Sequence, residues 1–237
     1  MIYVGIDDTD VKNSPGTNLL ARRIVHELAP EHRTILAVRH QLLLDPRVPY
    51  TSKNSAASLL FDLDAGQSPL ELAARIRDIM RRHFVEGSDP GLCVTTGVPG
   101  EVAEFGRRCQ QDVVDQQAAR RLARRHGIHL EGLGGTEDGV IGALAAVGLV
   151  AGGNDGRVVQ IALYPDDLSG PQQADLLRAR GVDAILQADS GEAVRRGTID
   201  VGKHLRPNYR GGRVVLLVEP APADAPGQVA WRAVRRT

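Results

Sequence analysis

The sequence predicts an α/β (α+β) protein: a mixed sheet flanked by helices, with a smaller C-terminal α/β unit. Three observations carry that expectation. Short runs rich in β-branched and aromatic residues, such as Ile2-Tyr3-Val4-Gly5-Ile6, alternate with stretches of helical periodicity. Turns bearing glycine and proline separate them. The 237 residues, 42% hydrophobic and 24% charged, are enough to bury a sizeable core in one large domain or two small ones.

The first strand runs straight into Asp7-Asp8-Thr9-Asp10. A polar loop, Lys12 to Gly16, follows, and Thr17-Asn18 opens an amphipathic helix carrying Leu19, Leu20, Ile24, Val25 and Leu28. Carboxylates at a strand end, just before a helix start, suit a hydrated divalent cation and a phosphate together. Magnesium takes hard oxygen ligands and keeps waters and substrate phosphates, and the helix start offers free N–H groups. Aspartates also serve as turn and cap residues. Three carboxylates in four positions repel one another without a cation, which favours Mg2+ on Asp7, Asp8 and Asp10.

Further along, Arg33 to Leu44 reads as a strand, and the prolines of Asp45-Pro46-Arg47-Val48-Pro49-Tyr50 impose a turning path. Thr51-Ser52-Lys53-Asn54-Ser55 is a polar loop with one of only three lysines among 29 basic residues. Its donors suit phosphate oxygens or a solvated hairpin equally. Ala56 to Leu63 is the next strand. Ser68-Pro69-Leu70-Glu71 is a capping box opening a helix that buries Leu72, Ile76, Ile79 and Phe84. After a short strand, Leu92 to Thr95, one long helix is expected from Glu101 to Arg125, with Val102, Phe105, Cys109, Val113 and Leu122 inward.

Gly132 to Gly148 is a glycine-rich loop feeding a helix of small and apolar residues. It is neither a Walker A sequence nor G-x-G-x-x-G. Clustered backbone N–H groups favour anions, yet Glu137 and Asp138 oppose a bare phosphate, so a cation intervenes or they point away. A joint at Gly152-Gly153 divides residues 1–150 from a smaller unit, 151–219, with strands at Arg157–Leu163, Val182–Leu186 and Val214–Val218 and a helix at Pro171–Arg180. Its Lys203 to Gly212 loop is cationic and suits an anionic substrate or an RNA strand, with substrate binding at Arg206, Asn208 and Arg210, or an exposed basic turn. Residues 220–237 read as a linker-like tail.

Several classes are disfavoured. Zero net charge argues against a strongly basic nucleic-acid binder, and 3% aromatics against an RNA-stacking surface. Two distant cysteines cannot build a zinc ribbon. With no secretory signal and no apolar run long enough for a bilayer, a cytoplasmic protein without a membrane partner is expected.

Taken together, three stretches resemble a known family. Gly5-Ile6-Asp7-Asp8-Thr9-Asp10 with Thr17, Leu44-Asp45-Pro46-Arg47-Val48-Pro49-Tyr50 with Lys53-Asn54, and Gly139 to Gly148 occur in the order found in the kinase-like catalytic domain of archaeal tRNA(Ile2) 2-agmatinylcytidine synthetases. The resemblance covers residues 1–150. It implies an ATP- and Mg-dependent enzyme that phosphorylates an acceptor oxygen, after which an amine displaces the phosphate. It implies Asp7, Asp8 and Asp10 on Mg-ATP, Thr17 as the autophosphorylated threonine, and Lys53, Asn54, Thr136, Gly139 and Gly142 near the phosphates. The acceptor, a small molecule or a tRNA cytidine, stays open. The family's OB-type and zinc-ribbon tRNA-binding domains have no counterpart here, and its glycine-loop arginine is replaced by Glu137-Asp138. Two alternatives stand beside this reading: a non-catalytic nucleotide- or RNA-binding module, and an aspartyl-phosphate phosphatase using Asp8-Thr9-Asp10.

Overall fold

The computed structural model describes residues 1–48, 53–62, 68–165, 167–222 and 229–234. Pro49 to Ser52, Leu63 and the last three residues, all part of the readings above, lie outside them. The N-terminal part comprises β1 (Ile2–Asp7), α1 (Thr17–Leu28), β2 (Thr34–Gln41), β3 (Ser55–Phe61), α2 (Pro69–His83), β4 (Gly91–Thr95), α3 (Gly100–Cys109), α4 (Gln116–Arg125), β5 (His129–Gly132) and α5 (Gly139–Ala151). The chain continues through β6 (Arg157–Ile161), β7 (Tyr164–Pro165), β8 (Pro171–Gln173), α6 (Ala174–Ala179), β9 (Ala184–Gln187), β10 (Thr198–Asp200), β11 (Asn208–Arg210), β12 (Arg213–Pro220) and β13 (Val229–Ala233).

All thirteen strands belong to one sheet, in the order β5-β4-β1-β3-β2-β6-β11-β12-β13-β10-β8, with β7 on β6 and β9 on β12. Its pairs are antiparallel except β10–β13 and β9–β12. The mixed sheet flanked by helices is therefore as expected, and it runs without interruption across residue 150 through the β2–β6 pair.

Strand periodicity decides which way the first strand faces. Ile2, Val4 and Ile6 point into a core with Leu20, Ile24 and Leu28 of α1 and Leu72, Ile76 and Met80 of α2. Gly5 and Asp7 have the opposite parity and face α5. That helix is apolar all round, as a helix buried on every side must be, and packs between the sheet and α3. Glycines permit the approach. A Cβ on Gly5 would meet the Ala143 carbonyl oxygen at 1.9 Å, and one on Gly148 would meet that of Val102 at 2.0 Å.

Two expected elements are corrected. The long helix is two, because Gln110 to Asp115 leaves the helical path. Gln110 donates through its side chain to the Gln41 carbonyl and to Asp155, and Asp115, extended, caps α4 by accepting from the Ala118 N–H at 2.7 Å. In the stretch expected as a tail, Val229–Ala233 is a strand that pairs with both β12 and β10. The helix expected from Pro171 starts instead at Ala174, since Pro171–Gln173 pairs with β10.

One buried network has the composition of a catalytic triad. His40 lies 2.6 Å from Asp155 and 2.8 Å from Ser58 Oγ. Both His40 and Ser58 are fully buried, out of a substrate's reach, so the network ties β2 and β3 to the turn before β6. Burial acts to raise the Asp155 carboxyl, but the His40 hydrogen bond and charge, with Gln110, hold it below the usual range.

The glycine contacts are testable. Gly5→Ala should cost about 1–3 kcal/mol, the range for overpacking, in urea unfolding. Gly97→Ala, whose Cβ would meet nothing within 4 Å, should stay within about 0.5 kcal/mol.

Candidate active site

At the C-terminal end of β1 the chain turns sharply. Asp8 has φ +50°, a left-handed conformation that aspartate tolerates better than most residues. This turn presents the carboxylates of Asp7, Asp8 and Asp10 to one concavity. Asp7 is pressed against α5: a Cβ on Gly142 would overlap its Oδ2 at 1.7 Å, and one on Gly139 would meet its carbonyl at 2.9 Å. Asp10 reaches across the loop to the start of α1, accepting from the Thr17 N–H at 3.2 Å and the Thr17 Oγ1 at 3.0 Å. Thr9 donates to the same threonine hydroxyl at 3.2 Å, and Thr17 is buried. The capping role of aspartate is thus real for Asp10, alongside its exposure to the cavity.

The cavity has a volume of about 350 Å³, within the range of small-molecule sites. Its lining is rich in carboxylates: Asp7, Asp8, Asp10, Asp112, Asp115 and Asp138. Leu42, Leu43, Val48, Val113, Val114 and Ile141 form an apolar wall, and Lys53, Asn54 and Gln116 supply donors. Asn54 Nδ2 donates to the Leu43 carbonyl at 2.8 Å, which fixes the Lys53-Asn54 corner against the wall.

Charge crowding shows in the acids themselves. Burial, then the neighbouring Asp8 and Asp10, raise the Asp7 carboxyl to about 7 against a partial offset from the Asp8 N–H. Burial and the charges of Asp89, Asp10 and Asp138 raise Asp8 to about 6, again with some offset from the Asp89 N–H. Among the described residues no three acidic, histidine or cysteine side chains form a ready-made metal cage. Magnesium does not require one, since it is commonly held by one or two carboxylates plus substrate phosphates. Two crowded, hard-oxygen groups facing an open cavity fit that mode.

Most expected site residues meet here: Asp7, Asp8, Asp10, Thr17, Lys53, Asn54, Gly139 and Gly142 all line the cavity. Thr136 does not. It is exposed, and its N–H donates to Asp89 Oδ1 at 2.5 Å, so the glycine-rich loop closes on a loop carboxylate. Glu137 points away and pairs with Arg120, whereas Asp138 lines the cavity and accepts from Gln116 at 3.1 Å. Asn208 and Arg210 border neither this cavity nor the one beside it, and Arg206 lies in the latter. Cys109, pushed up to about 12 mainly by burial, is no nucleophile.

Sequence reasoning missed Asp89, Gln116 and the wall of Val113 and Val114. The signal for the last was Asp115, an N-cap that opens a new helix at Gln116 and so leaves the two valines outside it.

No protein-family model matches the chain. A search of curated proteins finds 28% identity over 152 residues with the tRNA(Ile2) 2-agmatinylcytidine synthetase TiaS of Pyrococcus horikoshii, 62% of this chain and 35% of the relative. The Archaeoglobus fulgidus enzyme is 29% identical over 153 residues, with the same shares. The likeness is to the tRNA(Ile2) 2-agmatinylcytidine synthetases. With TiaS of Cenarchaeum symbiosum it extends to 219 residues at 25% identity, 81% of this chain and 48% of the relative, beyond the 150 residues expected. The solved TiaS–tRNA(Ile2)–ATP complex superposes with a TM-score of 0.55 at 27% identity over 62% of this chain and 36% of that one. A TiaS complex with tRNA(Ile2), AMPCPP and agmatine gives 0.53 at 25% identity, with shares of 62% and 35%. This chain spans between about a third and a half of the length of these TiaS relatives.

The raised acids make a pH prediction. In metal-free protein the folded state keeps protons that the unfolded chain, with ordinary carboxyls, releases from about pH 4 upward. Stability contributed by Asp7 and Asp8 therefore declines as pH rises from about 4 to about 7. The melting temperature of chelator-treated protein should fall from pH 5 to pH 8, Asp7→Asn should flatten that fall, and Mg2+ added at pH 8 should reverse it. A flat profile in the unsubstituted protein would contradict the crowding described here.

Proposed function

We propose that this chain is an ATP- and Mg2+-dependent phosphotransferase of the synthetase type, activating an acceptor oxygen as a phosphate ester that an amine then displaces. The observation that carries the reading is the cavity itself, whose lining combines the acids at the close of β1 with apolar side chains suited to a base. Solved relatives named for complexes with ATP, and with AMPCPP and agmatine, support the same chemistry. A cytidine of tRNA is the acceptor that their names suggest, with an amine such as agmatine as second substrate.

Phosphoryl transfer asks a protein mainly for positioning and charge stabilisation. In this reading the apolar wall of Leu42, Leu43, Val113 and Val114 takes the adenine and excludes water. Lys53, on an exposed corner, faces the polyphosphate, with Asn54 bracing that corner. Asp7 and Asp8 would hold Mg2+, which would supply charge neutralisation on the phosphate oxygens. The acceptor oxygen attacks the γ-phosphorus, the bond to the β–γ bridging oxygen breaks, and ADP leaves. The amine then attacks the activated carbon, inorganic phosphate departs, and the nitrogen loses its proton. Thr17, hydrogen-bonded to Asp10 at the cavity's edge, is the residue to examine for self-phosphorylation.

ATP turnover measured on Asp8→Asn and on Lys53→Met should fall by about 10²–10³-fold each, the usual scale for losing one charge-stabilising group, with melting curves still cooperative. Turnover equal to the parent in both would remove the enzymatic reading. Mg-ATP binding without turnover across amine and cytidine acceptors would leave only a nucleotide-binding module.

A further inference from the structure

A second cavity, about 410 Å³, adjoins the first and shares Asp10, Thr17, Lys53 and Ser55 with it. Its lining is opposite in character. Arg22 comes from α1, Arg39 from β2, Arg157 from β6 and Arg206 from the loop before β11. With Lys53 that makes five cationic side chains against one carboxylate, Asp10, among the described residues that line it. All four arginines are partly buried.

One pair within this arrangement works against the sheet. Arg39 and Arg157 are direct partners across the β2–β6 pair, and like charges directly opposite on neighbouring strands destabilise a sheet. Burial and the charges of Arg157 and Arg206 all act against the Arg39 cation, lowering its pKa. The sequence could place a neutral partner at either strand position and still close the ladder. Four distant segments instead bring guanidinium groups to one concavity, and a guanidinium's planar fork matches phosphate oxygens.

We propose that this arginine-lined basin anchors a phosphate group carried by the acceptor, with the acceptor's reacting oxygen directed across the shared Thr17–Lys53 edge toward the ATP cavity. The proposal rests on the ATP reading for the word acceptor; the basin's phosphate preference does not depend on it. The phosphate could belong to a nucleoside monophosphate or to an RNA strand, since both offer the same anion.

The test uses the full chain and four probes: cytidine, cytidine 5′-monophosphate, a short single-stranded oligocytidylate, and Mg-ATP, each titrated calorimetrically. The monophosphate should bind at least tenfold more tightly than cytidine. Arg39→Met and Arg206→Met should each lose that advantage while Mg-ATP affinity stays within twofold, and Asp8→Asn should show the reverse pattern. Arg206 lies outside any strand, so its variant serves even if Arg39→Met disturbs the sheet. In phosphate-free buffer Arg39→Met should melt no lower than the parent, because it relieves the opposed charges. For the oligomer, a slope of log K on log salt of about 0.7 per phosphate contacted counts the groups engaged. One phosphate assigns a monophosphate acceptor, and several assign a strand; both support the basin. Equal binding of cytidine and its monophosphate overturns the proposal. So do arginine variants that weaken Mg-ATP as much as the monophosphate, because the basin would then belong to the ATP site. If Mg-ATP fails to bind while monophosphate binding still follows the arginines, the ATP reading falls and the basin stands.

Discussion

The site depends on how closely one helix lies on one sheet. α5 touches β1 and β4 through backbone, with glycine on both sides: a Cβ on Gly91 would fall 2.2 Å from the carbonyl carbon of Gly139. At Gly142 the absent side chain leaves room for the Asp7 carboxylate. Any larger residue there would push the helix off the strand end or turn the Asp7 carboxylate out of its place. The same contact buries Asp7 and brings it near Asp8 and Asp10, which is why its charged form is disfavoured without a cation. Packing and electrostatics at this point are one arrangement. The glycine pattern from Gly139 to Gly148 serves the approach of helix to sheet, and only its first turn borders the cavity.

Much of this was legible from residue order. Strand parity alone sends Gly5 and Asp7 to one face and Ile2, Val4 and Ile6 to the other, and the acidic run after β1 marks where the sheet opens. The likeness to the TiaS relatives was legible for the same reason, because its distinguishing residues lie in short contiguous stretches. Thr136 shows the limit of that reasoning. A glycine-rich loop before a helix looks the same whether its N–H groups face a ligand or, as here, an aspartate from a preceding turn. Asp89 is 47 residues away in the chain, and no local pattern links the two.

Helix continuity failed for a related reason. Val113 sits at helical spacing from Cys109, so periodicity extends the helix through it. The competing interactions are long-range: Gln110 bonds to β2 and to Asp155, and Asp115 draws the chain into an extended cap. Two valines that a continuous helix would have placed otherwise become the cavity's apolar wall. The break thus supplies the apolar surface on which the proposed nucleotide reading relies.

The stretch after Gly152-Gly153 also has a different place from the one its composition suggests. Its first strand extends the sheet from β2, so Arg157 stands opposite Arg39 by register. Arg206 reaches the same concavity, and the backbone carbonyl of the following Pro207 accepts from the Val158 N–H at 2.8 Å, holding that loop against β6. The two arginines from this half and the acids from the other therefore border adjoining cavities that meet at Thr17. A negative end and a positive end placed side by side would attract each other if either moved freely. Sheet register on one side, and the glycine contact with α5 on the other, fix where each group of charges stands.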